Sequence, residues 1–425
     1  MPQERHPSHW PTAYHPATGT SRDRTEESVT AIDRWLLDCV QRGLGSAPVR
    51  FALWDGSESR TRPAQSIGRI IIHDRAMLAA VAWNSDLYLG EGYTSGRVDV
   101  EGDFVTVLEA VDRAALERPP ERQWSFLRTI RQGGTLTHSR QNIHHHYDIG
   151  NDFYRLWLDD EMLYTCAYFP SPEVDLETAQ RAKMKHVCRK LSLRPGDTVV
   201  DAGCGWGALA LYMARTYGVT VKAFNISHEQ IMYAREHAAR EHLDRQVEFI
   251  EDDYRNIRGT FDAFVSVGML EHVGLAHYST LGCLIDRCLD RRHGRGLLHF
   301  IGRNRPGELN AWIRRRIFPG AYPPTLCEVT GHVLEPWNMS VLDVENLRLH
   351  YAKTLAHWRT RFEAASGEVA RMFDEPFVRA WRLYLAGSEA AFSTGWMQLF
   401  QLTFARGTTN EIPWRRTATT ESGEA

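Results

Sequence analysis

The stretch that most constrains the fold of this chain is residues 198–211. It opens with a β-branched apolar run at 198–200, which predicts a buried parallel strand. After the run come Asp201 and three glycines at alternate positions, Gly203, Gly205 and Gly207. A helix-forming segment follows. Because glycine has no Cβ, such a strand-to-helix turn lets the backbone approach a ligand closely. The pattern predicts a nucleotide-sized notch, although many α/β domains use a similar turn for packing alone.

The next predicted strand, residues 219–224, argues against a dinucleotide-binding domain. A strand that gripped the ribose of NAD would end in an acidic residue. Here the strand ends at Asn225 and leads into a helix whose first turn carries Gln230. Ser227 and Gln230 have the spacing of a capping box, which predicts the start of that helix. The notch is therefore not expected to bind a dinucleotide.

These features resemble the S-adenosylmethionine-dependent methyltransferases and, within them, the cyclopropane-fatty-acyl-phospholipid synthases. The resemblance covers about residues 30–405. It implies an α/β fold, a Rossmann-like class I methyltransferase sheet with helices on both faces, plus a small α+β N-terminal domain. In that family the residues matching 201–207 wrap the methionine part of S-adenosylmethionine, and the position of Gln230 lines the same site. Asn225 stands where many relatives carry threonine, and both residue types can form hydrogen bonds.

The composition is that of an ordinary globular protein. The chain has 425 residues, enough for two domains, with 43% hydrophobic and 24% charged residues. A net charge of −3 gives no case for nucleic-acid binding. Basic clusters at 291–295 and 314–316 suit either a solvated arginine face or contact with anionic lipid headgroups.

The cysteines and the apolar runs bear on location. The seven cysteines include no Cys-x-x-Cys pair, which favours a reducing compartment over a disulfide framework or a zinc site. No apolar run approaches the roughly 20 residues that span a bilayer, and residues 1–28 lack the apolar core of a signal peptide. We therefore expect a cytoplasmic protein, which the resemblance places at the inner face of the membrane as a peripheral protein.

Five segments are predicted along the chain. They are a disordered tail at 1–27, an N-terminal domain at 28–120, a basic linker at 121–140, the catalytic domain at 141–405 and a polar tail at 406–425. The N-terminal domain has no clustered acid, base and nucleophile, so its expected role is packing or docking of substrate. Residues 89–103 are similar to the N-terminal domain of bacterial phospholipid-modifying synthases, which the mycobacterial mycolic-acid cyclopropane synthases lack. The resemblance therefore favours a membrane phospholipid as substrate.

Three successive histidines, 144–146, lie in the segment 141–154. Consecutive residues of a helix or strand do not converge on one ion, so no bound metal is expected. In the synthases a similar run forms helices that close over the cofactor and the acyl chain. That is the role implied for Tyr147 and Asn151.

Several residues outside the glycine-rich turn are also expected at the cofactor. Cys166 has no cationic neighbour in the sequence, which is typical of a small buried hydrophobe rather than a covalent nucleophile. In the synthases the tyrosine matching Tyr164 touches the cofactor. Asp252 and Asp253 could accept a hydrogen bond from the adenine amine or cap a turn, and family position favours Asp253. The predicted cofactor-binding residues are Tyr164, Asp201, Gly203, Cys204, Gly205, Asn225, Gln230, Asp253, Tyr254 and Gly268.

A second predicted centre follows the strand at 261–267, because ligands of open α/β sheets bind beyond the carboxyl ends of the strands. Glu271 falls at this position, and the next strand, 296–302, carries His299. In the synthases a bicarbonate ion is held by the residues matching Glu271, His299, Tyr351, Cys166 and Ile301. All five residue types recur here in order. The resemblance implies that they form the catalytic site.

The implied reaction transfers the methyl group of S-adenosylmethionine to the cis double bond of an unsaturated phospholipid acyl chain. Alignment in a dry pocket can contribute up to ~7–11 kcal/mol, and aromatic faces such as Tyr147, Tyr164 and Phe169 would stabilise the positive charge left on carbon. A bicarbonate at the catalytic site would remove a proton so that a cyclopropane ring closes. Phe300 stands where relatives often have threonine.

Other outcomes stay open on the sequence alone. A methyl-branched, methylene-branched or methoxy-precursor chain would need the same transfer step, and a thiol or amine acceptor would give ordinary methylation. A non-catalytic lipid-binding module is the alternative of another class, against which the intact Gly203, Gly205, Glu271, His299 and Tyr351 argue. Family analogy also implies a homodimer.

Overall fold

The computed structural model describes residues 28–61, 63, 65–117 and 149–412. The chain folds into two compact units. Of the described residues, the first unit comprises 28–117, Asn310–Pro319 and Phe362–Trp396, and the second comprises 149–309, Gly320–Arg361 and 397–412. The predictions for the tail at 1–27, the linker at 121–140, the histidines 144–146, Tyr147 and most of the tail at 406–425 lie outside the described residues.

The first unit contains a three-stranded sheet. Its strands are β1 (Val49–Leu53), β2 (Gly68–Ile72) and β3 (Val98–Gly102). The central strand β2 pairs in parallel with β1 and antiparallel with β3. The helices of this unit are Ala31–Gly43, Arg75–Trp83, Ser85–Thr94, Phe104–Leu116, Ala311–Arg316 and Glu375–Thr394. The α+β architecture expected for the N-terminal residues is present.

Arginine side chains link the separate stretches of the first unit. Arg379, in the helix Glu375–Thr394, donates to the Val98 carbonyl at 3.0 Å and to Asp99 Oδ1 at 2.7 Å. Arg316 donates from Nε to Glu91 Oε1 at 2.9 Å. Charge-assisted hydrogen bonds are about twice as strong as neutral ones. Two late segments of the chain therefore share a compact unit with the N-terminal sheet, whereas the predicted boundaries at 28–120 and 141–405 remain predictions.

The second unit is built on a seven-stranded sheet. Its strands are β4 (Thr198–Ala202), β5 (Thr220–Asn225), β6 (Val247–Glu251), β7 (Ala263–Val267), β8 (Arg295–Gly302), β9 (Met339–Asn346) and β10 (Gln398–Arg406). They lie in the order β6-β5-β4-β7-β8-β10-β9, and β10 runs antiparallel to both of its neighbours. The helices that begin in this unit are Asn151–Arg155, Leu176–Leu191, Ala208–Tyr217, His228–Arg240, Leu270–Val273, Tyr278–Cys288, Leu326–Val329 and Arg348–Met372, of which the last ends in the first unit.

Both faces of this sheet are apolar and covered, as a parallel sheet requires. Val199 packs into one core cluster with residues of the helices Leu176–Leu191 and Ala208–Tyr217, and Val200 packs into another with residues of Tyr278–Cys288. The alternation follows from the two-residue period of a strand. From β4 the chain continues to β5 and β6 on one side of the sheet and then returns to β7 on the other side of β4. Ligands of open α/β sheets bind at such a switch point, beyond the carboxyl ends of the strands.

Candidate active site

The glycine-rich turn after β4 forms as the sequence predicts. Gly203 has a φ of +92°, and its N–H donates to the Phe224 carbonyl of β5 at 2.9 Å. Gly207 has a φ of +88°, and a Cβ on it would lie 2.6 Å from the ring of Phe249. Any other residue would be strained at these φ values and would clash at Gly207. The turn can therefore bring its backbone up to a ligand above β4.

A pocket opens at this turn. Eight of the ten predicted cofactor-binding residues line it, namely Tyr164, Asp201, Gly203, Cys204, Gly205, Asn225, Gln230 and Gly268. The rest of its wall is formed by Met162, Leu163, Thr165, Lys183, Trp206, Ala208, Leu209, Val267, Met269 and His272. Stretches that are distant in the sequence meet here, because β4, β5 and β7 end at the same edge of the sheet.

The side chains of Asn225 and Gln230 hold each other on the pocket wall. Asn225 Nδ2 donates to Gln230 Oε1 at 2.6 Å and to the Gly205 carbonyl at 3.2 Å. Ser227 caps the helix His228–Arg240 by accepting from the Gln230 N–H, so the predicted helix start is confirmed. The reciprocal half of the capping box does not form, because the Gln230 side chain bonds Asn225 instead. Gln230, the second residue of the predicted capping box, is thus a residue of the pocket wall.

Asp253 and Tyr254 do not line this pocket. The Asp253 carboxylate accepts from the Arg255 N–H at 2.9 Å and from the Arg255 guanidinium at 2.7 and 2.8 Å. It therefore caps the short 3₁₀ helix Tyr254–Asn256. Capping of a turn is one of the two roles that the sequence allowed for this aspartate, the other being a hydrogen bond from the adenine amine. The predicted contact of Asp253 with adenine stays a prediction.

The loop that carries Tyr164 and Thr165 is shaped by Asp159, which the sequence did not single out. The buried Asp159 carboxylate accepts from the backbone N–H groups of Glu161 at 3.1 Å and Leu163 at 3.0 Å. These bonds support Met162 in the left-handed region, at a φ of +57°. Burial raises the pKa of Asp159 to about 6. Asp159 is therefore a positioning residue for the pocket wall.

Asn151, predicted to act near the cofactor, contacts the glycine-rich turn. Its Oδ1 accepts from Trp206 Nε1 at 2.7 Å. Trp206 also packs edge-on against Tyr154, with ring centroids 5.0 Å apart. The helix Asn151–Arg155 is thereby tied to the pocket through a residue of the wall.

The Glu271 carboxylate is buried directly after β7. One oxygen, Oε1, accepts the backbone N–H of Ile301 in β8. The other, Oε2, is buried and has no hydrogen-bond partner among the described residues. Burial raises the pKa of Glu271 to about 7. An unpartnered buried oxygen is costly, which marks it as a candidate acceptor for a ligand.

His299, in β8, presents a complementary atom. Its Nδ1 lies 3.2 Å from Gln401 Nε2 of β10. An amide NH₂ can only donate, so Nδ1 accepts and Nε2 carries the hydrogen. That Nε2 is buried without a hydrogen-bond partner in the described part of the chain. Burial lowers the pKa of His299 to about 3, so the ring is neutral at physiological pH.

The Leu347 carbonyl is contacted by the Cys166 thiol and by the backbone N–H of Tyr351. Cys166 Sγ lies 3.9 Å from this oxygen, and the Tyr351 N–H donates to it at 3.1 Å. The Leu347 N–H donates in turn to the Leu399 carbonyl, and Leu399 is paired with Ile301 across the sheet. Cys166 is 1% exposed, and burial raises its pKa far above neutral, which agrees with its rejection as a nucleophile.

The two centres are contiguous. Gly268 lines the pocket, and its N–H donates to the His299 carbonyl at 2.8 Å. On β8, His299 and Ile301 share one face because a strand alternates. Phe300 points to the other face, where its ring centroid lies 5.8 Å from that of Phe400 in the core. The unusual phenylalanine is therefore a core residue and does not line the site.

Buried aromatic rings pack behind Tyr164 and connect it to Tyr351. The Tyr164 ring centroid lies 5.2 Å from that of Trp157 and 5.3 Å from that of Trp358, and Trp358 lies 5.9 Å from Tyr351. The Phe169 ring contacts a different group, the Lys353 ammonium, which lies 5.2 Å from the ring centroid. Of these rings, Tyr164 lines the pocket, and its face can attract a cation bound there.

Fold and pocket together define a class I S-adenosylmethionine-dependent methyltransferase. The family model for mycolic acid cyclopropane synthetase matches residues 135–402, and one for a domain of unknown function matches 39–117. The chain therefore belongs to the cyclopropane synthase family, as the resemblance indicated.

Individual relatives agree with this assignment. The chain is 38% identical over 351 residues to the cyclopropane-fatty-acyl-phospholipid synthase of Escherichia coli, covering 78% of this chain and 86% of that protein. It is 36% identical over 387 residues to a probable fatty acid methyltransferase of Pseudomonas putida, covering 87% and 95%. Among solved structures, mycolic acid cyclopropane synthase CmaA1 complexed with SAH and CTAB matches with a TM-score of 0.59 and 30% identity, covering 62% of this chain and 97% of that one.

The structure also bears on the predicted membrane contacts. No helix in the described ranges is long and apolar enough to cross a bilayer. Within the basic clusters, Arg316 is only 13% exposed in its ion pair with Glu91, whereas Arg291 is 71% exposed. His293 lies 2.8 Å from Asp262. The two clusters are therefore partly paired with acids of the same chain.

Proposed function

We propose that this methyltransferase converts the cis double bond of an unsaturated phospholipid acyl chain into a cyclopropane, with bicarbonate as the base. The observation that carries the proposal is a pair of buried, unpartnered atoms, Glu271 Oε2 and His299 Nε2, within the described part of the chain. One accepts a hydrogen bond and the other donates. Bicarbonate has both an O–H and anionic oxygens, so its hydrogen-bonding groups match this pair.

The residues of the pocket fit S-adenosylmethionine. The turn at Gly203 to Gly207 has no Cβ atoms at the positions of closest approach, and Asn225 and Gln230 are already held in place by each other. When bound, S-adenosylmethionine supplies an electrophilic methyl group on sulfur. The protein supplies alignment, and the surrounding buried side chains exclude water.

Each catalytic side chain has its own role in binding the base or in proton transfer. Glu271, when ionised, accepts a hydrogen bond through Oε2 while the Ile301 N–H holds Oε1. Neutral His299 donates from Nε2, and Gln401 fixes its tautomer. Cys166 and Tyr351 complete the proposed site, and the Cys166 thiol and the Tyr351 backbone N–H both contact the Leu347 carbonyl. The ring of Tyr164, which packs against Trp157 and Trp358, would stabilise transient positive charge on the acyl chain without forming a covalent bond.

The phospholipid substrate and the membrane contact rest on relatives. The E. coli relative is named a cyclopropane-fatty-acyl-phospholipid synthase, and its match extends over 78% of this chain. We extend this substrate class to the present chain, with the N-terminal residues 28–120 as the docking domain, and retain a peripheral position on the inner membrane face and a homodimer as parts of the proposal.

A branched product is the second candidate, because a probable fatty acid methyltransferase is among the relatives. Mass spectrometry of acyl chains separates the two after incubation with methyl-deuterated S-adenosylmethionine and vesicles of cis-unsaturated phospholipid. Retention of two methyl deuteriums in an ozone-resistant product supports the cyclopropane. Retention of three, or an ozone-sensitive product, supports branching. Bound cofactor without any product would point to another acceptor or to a lipid-binding module.

The role of bicarbonate has its own test. The same reaction is run in carbon dioxide-depleted buffer, with and without added bicarbonate. We expect the rate to fall on depletion and to recover on addition, and the Glu271→Gln variant to lose this response. A rate that is independent of bicarbonate would refute its role as base while leaving methyl transfer intact.

A further inference from the structure

Lys183 is a buried cation on the wall of the cofactor pocket. It lies in the helix Leu176–Leu191 and is 2% exposed. Its Nζ donates to Thr165 Oγ1 at 2.7 Å. Lysine is almost never fully buried unless its charge is compensated. The position of this ammonium therefore calls for negative charge nearby.

The pocket wall also carries an acidic side chain. Asp201 at the end of β4 lines the pocket and interacts electrostatically with Lys183, which opposes the rise of its pKa to about 7 that burial causes. His272, the other basic residue among the described lining residues, is neutral because burial lowers its pKa to about 4. At neutral pH the wall thus presents one ammonium group, backed by a hydroxyl, and one carboxyl group.

This pattern is the complement of a zwitterion. The methionine part of S-adenosylmethionine ends in an α-carboxylate and an α-ammonium group. We propose that Lys183, together with the Thr165 hydroxyl, binds the carboxylate of the cofactor while Asp201 faces its ammonium group. The proposal rests on the assignment of S-adenosylmethionine to this pocket and deepens it by naming a residue that selects for the intact amino-acid end.

A competing explanation is structural. Asp159 is also close enough to interact with Lys183, so the lysine could serve only as a counter-ion for the loop that precedes Tyr164. In that case its loss would weaken binding of every cofactor analogue alike. Selective loss for carboxylate-bearing ligands would not follow.

Isothermal titration calorimetry on the full chain separates the two roles. The ligands are S-adenosylmethionine and decarboxylated S-adenosylmethionine, which lacks only the carboxylate. We expect wild-type protein to prefer S-adenosylmethionine by about 10- to 150-fold, the range for a hydrogen bond to a charged group. Lys183→Met should abolish the preference, and Lys183→Arg should keep part of it. The exposed Lys185 of the same helix provides the control, Lys185→Met, which should behave as wild type.

The wild-type comparison keeps the test decisive even if Lys183→Met fails to fold. Equal affinity of wild-type protein for the two ligands would overturn the proposal, as would an equal loss of affinity for both in the methionine variant. Because the titration contains no lipid, absence of a cyclopropane product leaves this result unaffected. Failure to bind either ligand would overturn the cofactor assignment as well.

Discussion

Replacement of Glu271 by glutamine should lower activity and raise stability at the same time. Glutamine keeps the size of the side chain and an oxygen for the Ile301 N–H, but its NH₂ group cannot accept at the position of Oε2. Loss of a hydrogen bond to a charged acceptor costs about 1.5–3 kcal/mol. We therefore expect kcat/KM to fall by roughly 10- to 150-fold.

The stability effect follows from the raised pKa. Burial raises the pKa of Glu271 from 4.5 to about 7. Because the folded-state pKa lies above the unfolded value, the stability contributed by this group is fully present below pH 4.5 and is lost as the pH rises through 7. The rise corresponds to roughly 3 kcal/mol. Glutamine does not ionise, so Glu271→Gln should be more stable than wild type at pH 8 and similar to it at pH 4.5.

Urea unfolding at several pH values and steady-state kinetics on phospholipid vesicles measure both quantities. The matched control is Glu248→Gln, an exposed residue of β6 that should change neither. Unchanged kcat/KM in Glu271→Gln would refute a role for the carboxylate in the reaction. Equal pH dependence of stability in the variant and the wild type would refute the burial of an ionisable group at this site.

Three further outcomes are expected. The kcat/KM of wild type should fall about tenfold per pH unit below 7, because Glu271 becomes protonated. A pH–rate profile that is flat from 5.5 to 7 would contradict the role of an ionised carboxylate. Gly207→Ala should destabilise the protein by about 1–3 kcal/mol because of its positive φ and the ring 2.6 Å from the added Cβ. The control Gly367→Ala, whose added Cβ meets nothing within 4 Å, should not destabilise the protein. Thermal unfolding of the two variants measures the difference. Arg379→Met should cost about 2–4 kcal/mol, since it leaves Asp99 and a backbone carbonyl without this donor, whereas exposed Arg371→Met should be neutral in the same unfolding assay.

Local patterns predicted the centre of the fold well. The apolar run before Asp201, the glycine turn and the helix after Ser227 depend on residues close in sequence, so the chain alone specifies them. Glu271 was found because a residue that follows a parallel strand must lie at the ligand-binding edge of the sheet. The burial of Lys183 also has a signal in the sequence. This lysine has the helical spacing of buried Ala179 and Val187, on the apolar face of its helix.

Other features depend on the order in which the strands pack. Gln401 contacts His299 only because β10 enters the sheet beside β8, and Cys166 contacts the Leu347 carbonyl, 181 residues further along the chain. The Asp253 carboxylate binds the Arg255 guanidinium, a contact that the sequence pattern did not predict. The sequence by itself determined the parallel sheet, the glycine turn and the residue types of the site. Tertiary structure decided which polar atoms found partners and which stayed buried without one, because that depends on contacts between residues far apart in the chain.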